Sequence, residues 1–221
     1  MKKSLTIVGI ILLIDQSVKF WIKTNMSLGQ EFKILGDWFI IHFTENPGMA
    51  FGLEFAGEYG KLVLSIFRII AIIGILYYLW MITRKKVHTG LLVSLSLVLA
   101  GAMGNVIDSA FYGMLFSSSN YFEAARFLPA EGGYATFLHG KVVDMLYFPI
   151  IQGYYPSWIP WLGGNEFIFF RPVFNIADSS ITIGVILMIL FQKKFFQPEQ
   201  NPETVVVTND EEAVVTQQET D

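Results

Sequence analysis

Four stretches of the chain are apolar over the length that a helix needs to cross a bilayer, about 20 residues at ~1.5 Å of rise each. They are residues 4 to 22, 62 to 82, 90 to 108 and 172 to 191. The first follows Lys2 and Lys3 as a secretory leader would, but it carries Asp15 and Lys19 and is followed by no small-x-small cleavage site, so it reads as a retained helix. Residues 31 to 43 (EFKILGDWFIIHF) set aromatic and β-branched positions on both sides of Gly36-Asp37, the pattern of a strand pair. Residues 109 to 141, rich in Ser, Gly and aromatics, read as an elaborated loop with one short helix expected over residues 121 to 127. The pattern predicts an all-α polytopic membrane protein with four transmembrane helices, a small extracytoplasmic β-sheet and an elaborated outer loop. The membrane domain spans residues 1 to 197, and residues 198 to 221 form an acidic tail with too little apolar surface to order itself.

Composition sharpens this picture. Hydrophobic residues make up 53% and charged residues only 15%, with mean hydropathy +0.49, where a soluble domain carries about 25% charged residues. The absence of cysteine excludes a thiol nucleophile, a disulfide and a Cys-based zinc site. Seven of the 19 acidic residues lie in the tail, which has no Lys or Arg, so the net charge of −4 hides a mildly basic body. No basic, aromatic-interleaved surface suggests nucleic acid. Lys2, Lys3, Arg84, Lys85, Lys86, Lys193 and Lys194 crowd one side of the spans, whereas Lys23, Lys33, Lys61, Arg126, Lys141 and Arg171 are spread through two long loops. That density puts both termini in the cytoplasm and residues 23 to 61 and 109 to 171 outside. Trp38, Trp158 and Trp161 in those loops suit the headgroup level.

The candidate chemistry lies in polar residues at membrane depth, where each is costly. Asp15 and Lys19 fall near the outer end of the first span, Asn105 and Asp108 at the outer end of the third, and Asn175 and Asp178 three and six residues past Pro172 in the fourth. Asp144 sits in an outer loop that returns to the membrane. Several have plain structural readings: Asp15 with Lys19 as a self-neutralising i,i+4 pair, Asp108 as a helix end, Arg68 as a snorkelling or cross-paired cation, and Ala100-x-x-x-Gly104 as a close helix contact. Asp144 and Asp178 have weaker structural explanations. His42, His88 and His139 carry no catalytic motif, a Ser109–Lys141 pair has no signature, and no HExxH or His cluster suggests a metal. Two aspartates sharing one proton remain, able to activate water with one member and protonate a carbonyl oxygen with the other.

Five blocks then carry a family resemblance: Asp15-Gln16-x-x-Lys19; Asn46-Pro-Gly48-Met-Ala50-Phe51; Gly101-Ala-Met-Gly104-Asn105-Val-Ile-Asp108; Val142-Val143-Asp144; and Phe174-Asn175-Ile-Ala177-Asp178-Ser179-Ser-Ile181. In order and register over residues 4 to 194, they resemble the lipoprotein signal peptidases (signal peptidase II), intramembrane aspartic peptidases. The resemblance implies Asp144 and Asp178 as the catalytic pair, with Asn46, Gly48, Asn105, Asp108, Asn175, Asp15 and Lys19 binding substrate or supporting the site, and no metal or cofactor. It implies a bacterial inner-membrane enzyme with its site near the outer face. The implied substrate is a prolipoprotein whose cysteine already bears diacylglycerol, cut on the N-terminal side of that cysteine. Membrane lipids and globomycin-type peptide inhibitors are the other implied partners. Two departures stand out: Ser109 replaces the arginine that usually follows the third-block aspartate, leaving Arg126 or Arg171 as candidate partners for Asp108, and the segments flanking Asp144 are longer than expected. The competing classes are a membrane transporter or proton-relay protein and an inactive lipoprotein-binding homologue.

Overall fold

The computed structural model describes residues 1–47, 57–85 and 87–196. Gly48 and the acidic tail lie outside the described residues. Among the described residues, three helices are long and apolar enough to cross a membrane. They belong to α1 (Lys2–Asn25), α2 (Gly57–Ile82) and α3 (Thr89–Ile107), the last running on through a π-helical turn, Asp108–Tyr112, and α4 (Gly113–Leu115). A shorter apolar helix, α5 (Ile176–Leu190), is followed by the single turn α6 (Gln192–Phe195). Leu13, Phe67, Ile70, Ile73, Ile183 and Ile189 turn outward on these helices, the reverse of a soluble bundle.

The buried face of α1 carries Ser4, Val8, Asp15, Lys19, Ile22 and Lys23, a stripe at helical spacing whose middle is charged. One apolar cluster, built on Val8, Leu79, Leu91, Leu95, Leu99 and Phe195, packs one end of the bundle. A second, built on Ile22, Met26, Phe43, Tyr112, Phe116, Val143 and Met145, packs the other. Asp15 and Lys19 on α1, and Asn105 and Asp108 on and after α3, fall between the two clusters in chain order, so the polar residues form a layer roofed and floored by hydrocarbon.

The expected strand pair is present as β1 (Glu31–Leu35) and β2 (Phe39–Asn46), joined by a turn through Gly36 at φ +54. It is half of a four-stranded antiparallel sheet in the order β1, β2, β3 (Val142–Tyr147), β6 (Val173–Phe174). Between β3 and β6 the chain makes a separate hairpin, β4 (Ile151–Tyr154) with β5 (Glu166–Phe169).

The structure corrects several expectations. Residues 121 to 127 hold no helix. Asn120 Oδ1 instead accepts the Phe122 and Glu123 N–H groups, both at 2.8 Å, a local side-chain turn that competes with helix. Asp144 sits on the central strand β3 and not in a loop. The fourth helix starts at Ile176, because the chain before it is extended through Val173 and Phe174 and Asn175 caps the helix, so Asp178 lies in its first turn. The close contact expected at Ala100 and Gly104 runs through Gly101 and Gly104: a Cβ at Gly101 would stand 2.2 Å from the Ala177 carbonyl oxygen, and one at Gly104 2.7 Å from Asp15 Oδ2. Glycine at these two positions lets α5 and the Asp15 carboxylate press against α3.

Candidate active site

Asp178 is placed by a capping box. The Asn175 side chain accepts the Asp178 N–H at 2.8 Å, and the Asp178 carboxylate accepts the Asn175 N–H at 3.4 Å. The box fixes the helix entry and sets the Asp178 carboxylate at the positive end of α5. Asp144 is placed by sheet register, opposite Thr44 of β2, while Val142 at the start of the same strand lies opposite Asn46. Two amides link the carboxylates. Asn175 Nδ2 donates to Asp144 Oδ1 at 2.7 Å and to Asn105 Oδ1 at 3.1 Å, and Asn105 Nδ2 donates to Asp178 Oδ1 at 2.8 Å.

Beneath the pair lies a charged clamp. Lys19 is fully buried between Asp108 (2.9 Å) and Asp15 (3.0 Å), and its ammonium also reaches Asn105 Oδ1 at 3.2 Å. An ammonium donates and never accepts. The Asn105 atom facing Lys19 is therefore the amide oxygen, and its NH2 is turned toward Asp178. Asp108 Oδ2 accepts the Val143 N–H at 3.2 Å, and Asp15 Oδ1 accepts the Ala177 N–H at 2.9 Å. Each supporting carboxylate thus holds the residue just before a member of the pair: Val143 before Asp144, and Ala177 before Asp178.

Gln16 completes the clamp, donating to Asp108 at 2.9 Å and Asp15 at 3.1 Å, while Tyr112 donates to its carbonyl oxygen at 3.3 Å. Neither residue is among the candidates from the sequence. The available signal was the place of Gln16 in the first block, between Asp15 and Lys19. The charge partner of Asp108 is Lys19, and not Arg126, which pairs with Glu131, or Arg171, which donates to the Glu166 carbonyl. The expected i,i+4 pair of Asp15 and Lys19 is real, but it is part of this larger clamp. Arg68 on α2 is half-buried, and the charges it faces are those of Asp178, Asp108 and Asp144. Ser109 donates to the Asn105 carbonyl and Lys141 pairs with Glu45, so each is engaged elsewhere.

Burial, and then the neighbouring Asp178 charge, push Asp144 up to about 7. Near neutral pH the Asp144 carboxyl is therefore about half protonated, poised to give or take a proton. Every buried side-chain polar atom among the described residues except Ser4 Oγ has a partner, so the layer is a finished network. Among the described residues no group of three or more His, Cys, Asp or Glu side chains is arranged to hold a metal ion.

A second buried ionic cluster ties the elaborated loop to the sheet. Lys23 pairs with Glu45 of β2 and donates to Ser119 at 3.0 Å, Ser119 donates to Glu45 at 2.8 Å, and Lys141 reaches Glu45 at 3.3 Å. The Tyr134 ring lies under both ammonium groups. The additional outer-loop material therefore braces β2, the strand that ends at Asn46.

Fold and site together define a membrane-embedded protein with a carboxylate pair held between helix ends and a small sheet. Residues 7–194 match the family described as signal peptidase (SPase) II. A lipoprotein signal peptidase of Porphyromonas gingivalis is 51% identical over 185 residues, covering 83% of this chain and 80% of that one. One from Amoebophilus asiaticus is 40% identical over 217 residues, covering 95% and 87%. A solved bacterial membrane enzyme is similar in fold, with TM-score 0.56 and 27% identity over 88% of this chain and 94% of that one. The chain belongs to the signal peptidase II family and is a membrane-embedded peptidase of that family.

Proposed function

We propose that Asp144 and Asp178 are the catalytic pair of an aspartic endopeptidase that removes the signal peptide from diacylglyceryl-modified prolipoproteins, cutting on the N-terminal side of the lipidated cysteine. The observation that carries this reading is the pair itself. Two carboxylates from β3 and the first turn of α5 are bridged by Asn105 and Asn175, and one of them is pushed up to about 7. Asp144 acts as the acid, and Asp178, in the first turn of α5, acts as the base.

In the first step Asp178 takes a proton from a water whose oxygen attacks the scissile carbonyl carbon, and Asp144 gives its proton to the carbonyl oxygen. The tetrahedral product then collapses. One of its hydroxyl protons returns to Asp144 as the C–N bond breaks, and the proton on Asp178 passes to the nitrogen of the lipidated cysteine. Asn46, at the end of β2, and Gly48 after it would hold the substrate backbone. Asn105, Asn175, Asp108, Asp15 and Lys19 keep the pair in place.

The reading places four crossings in the bacterial inner membrane, α5 with α6 being the fourth, with both termini cytoplasmic and the sheet at the outer surface. There a lipidated substrate has its acyl chains in the bilayer and its scissile bond near the headgroups and water. Globomycin-type peptides would occupy the same site. The membrane domain, residues 1 to 197, would act without the acidic tail.

Purified full-length protein in lipid-detergent micelles should cleave a diacylglyceryl-modified prolipoprotein peptide and leave the unmodified peptide intact. A peptide that binds without being cut would indicate an inactive homologue. Proton flux in sealed vesicles without cleavage would favour the transporter reading.

A further inference from the structure

Between Asp144 and Glu166 the chain carries no charged residue, and this stretch builds the β4–β5 hairpin. Its end displays large apolar groups with nothing packed over them: Trp158 is 79% exposed, Trp161 96% and Tyr154 76%, with Leu162 also exposed. Trp161 is held at φ +63, a left-handed conformation that is a strained choice for a bulky side chain. Backbone strain thus accompanies an indole set where water would surround it.

The backbone beneath those side chains is closed on itself. Tyr155 N–H donates to the Asn165 carbonyl (2.9 Å), Gly164 to Tyr155 (3.0 Å), Ile159 to Pro156 (3.0 Å), Gly163 to Ile159 (2.9 Å) and Asn165 to Leu162 (3.0 Å). A stem whose backbone groups are paired, apolar side chains at the tip and no charge suit the hairpin to the polar–apolar boundary of a bilayer, where headgroups and water take up the remaining tip N–H groups. The hairpin root is fixed by rings: Phe148 stacks on Phe39 at 4.7 Å and lies 5.7 Å from Phe174, with Trp38 at 6.3 Å. Exposed Ile34 and Leu35 at the end of β1, and Trp38 in the β1–β2 turn, continue the same apolar rim. The occupant of this rim follows from continuity with the bundle, whose membrane-length helices turn Leu, Ile and Phe outward as a lipid-embedded surface does.

We propose that the β4–β5 hairpin is a membrane-docking element whose Trp158–Leu162 tip immerses in the headgroup and upper acyl region of the leaflet beside the site. Indoles have an apolar body and one N–H donor, which suits them to that boundary. The hairpin joins β3, which carries Asp144, to β6, which leads into Asn175 and Asp178, so a tip anchored in lipid holds both halves of the pair level with the membrane surface. The inference rests on the membrane embedding of the chain, not on the catalytic assignment, and its test reads lipid immersion irrespective of cleavage.

The chain has no cysteine, so Trp161→Cys and, separately, Trp158→Cys provide unique sites for a nitroxide label on the full-length protein in phosphatidylcholine-phosphatidylglycerol vesicles. Glu131→Cys, on an exposed part of the outer loop, serves as the aqueous reference. The labels at 161 and 158 should collide freely with oxygen and be shielded roughly tenfold from a water-soluble nickel chelate relative to the label at 131, as expected ~5–10 Å inside the interface. Nickel accessibility at both tip sites equal to that at 131 would overturn the proposal. So would spin-spin broadening between labels on neighbouring copies, which would make the tip a contact between copies of the chain. Activity of the labelled variants reports separately on the peptidase reading.

Discussion

Lys19 is the residue on which the site turns. It pairs with two buried carboxylates at once, and through them it fixes Val143 and Ala177, each one position before a member of the pair. It also orients Asn105 toward Asp178. Lys19→Met keeps most of the side-chain volume but leaves Asp15 and Asp108 buried without a cation, an imbalance that typically costs about 3–5 kcal/mol. Thermal unfolding in detergent should show a clear loss for Lys19→Met and little change for Lys33→Met on the exposed β1. Equal stability of the two variants would contradict the clamp. The pH profile follows from Asp144: because its carboxyl is pushed up to about 7, raising pH through that value removes its proton. The ratio kcat/KM should therefore fall about tenfold per pH unit on the alkaline side, measured on a lipidated peptide across neutral to alkaline pH. A flat profile there would mean the protonated carboxyl is not required. The candidate residues themselves were legible in the sequence, because a carboxylate or amide inside an apolar run is conspicuous. Gln16 and Tyr112 were not, since one is flanked by stronger polar residues and the other is one aromatic among many.

At the scale of elements, the long apolar helices and the β1–β2 pair were readable because each has one clear periodicity. Strand β3 was not. Its first four residues, Val142 to Met145, are all buried, so the strand shows a continuous run in place of alternation. The start of α5 was missed for a different reason. Apolar character begins at Pro172 while helical geometry begins only after Asn175, and an Asn-x-x-Asp capping box is the signal that separates the two. The same helix depends on its contact with α3, where Gly101 leaves room for the Ala177 carbonyl. Gly101→Val should force α5 away from α3 and displace Asp178 from Asn105, with kcat lowered at least about tenfold. Gly153→Ala, at a position with open space around it, should leave kcat within about twofold. Unchanged turnover in Gly101→Val would show that the α3–α5 contact does not position the pair.

For the whole molecule, a site near the outer face needs the sheet and both outer loops on one side of the membrane and the basic clusters on the other. A reporter fused after Lys86 should score as cytoplasmic and one inserted at Ser118 as external; the opposite result would reverse the orientation. The most direct test of the central claim is single-turnover cleavage of a diacylglyceryl-modified prolipoprotein peptide by Asp144→Asn, Asp178→Asn and the double variant, each shown by its unfolding transition to be folded. Asn keeps the volume of Asp but cannot accept a proton from water or exchange one with the substrate. Each single variant should lose cleavage by at least about a thousandfold, and the double should be no worse than either single, as for residues that act as one unit. Substantial turnover by either single variant would contradict an aspartic mechanism built on this pair.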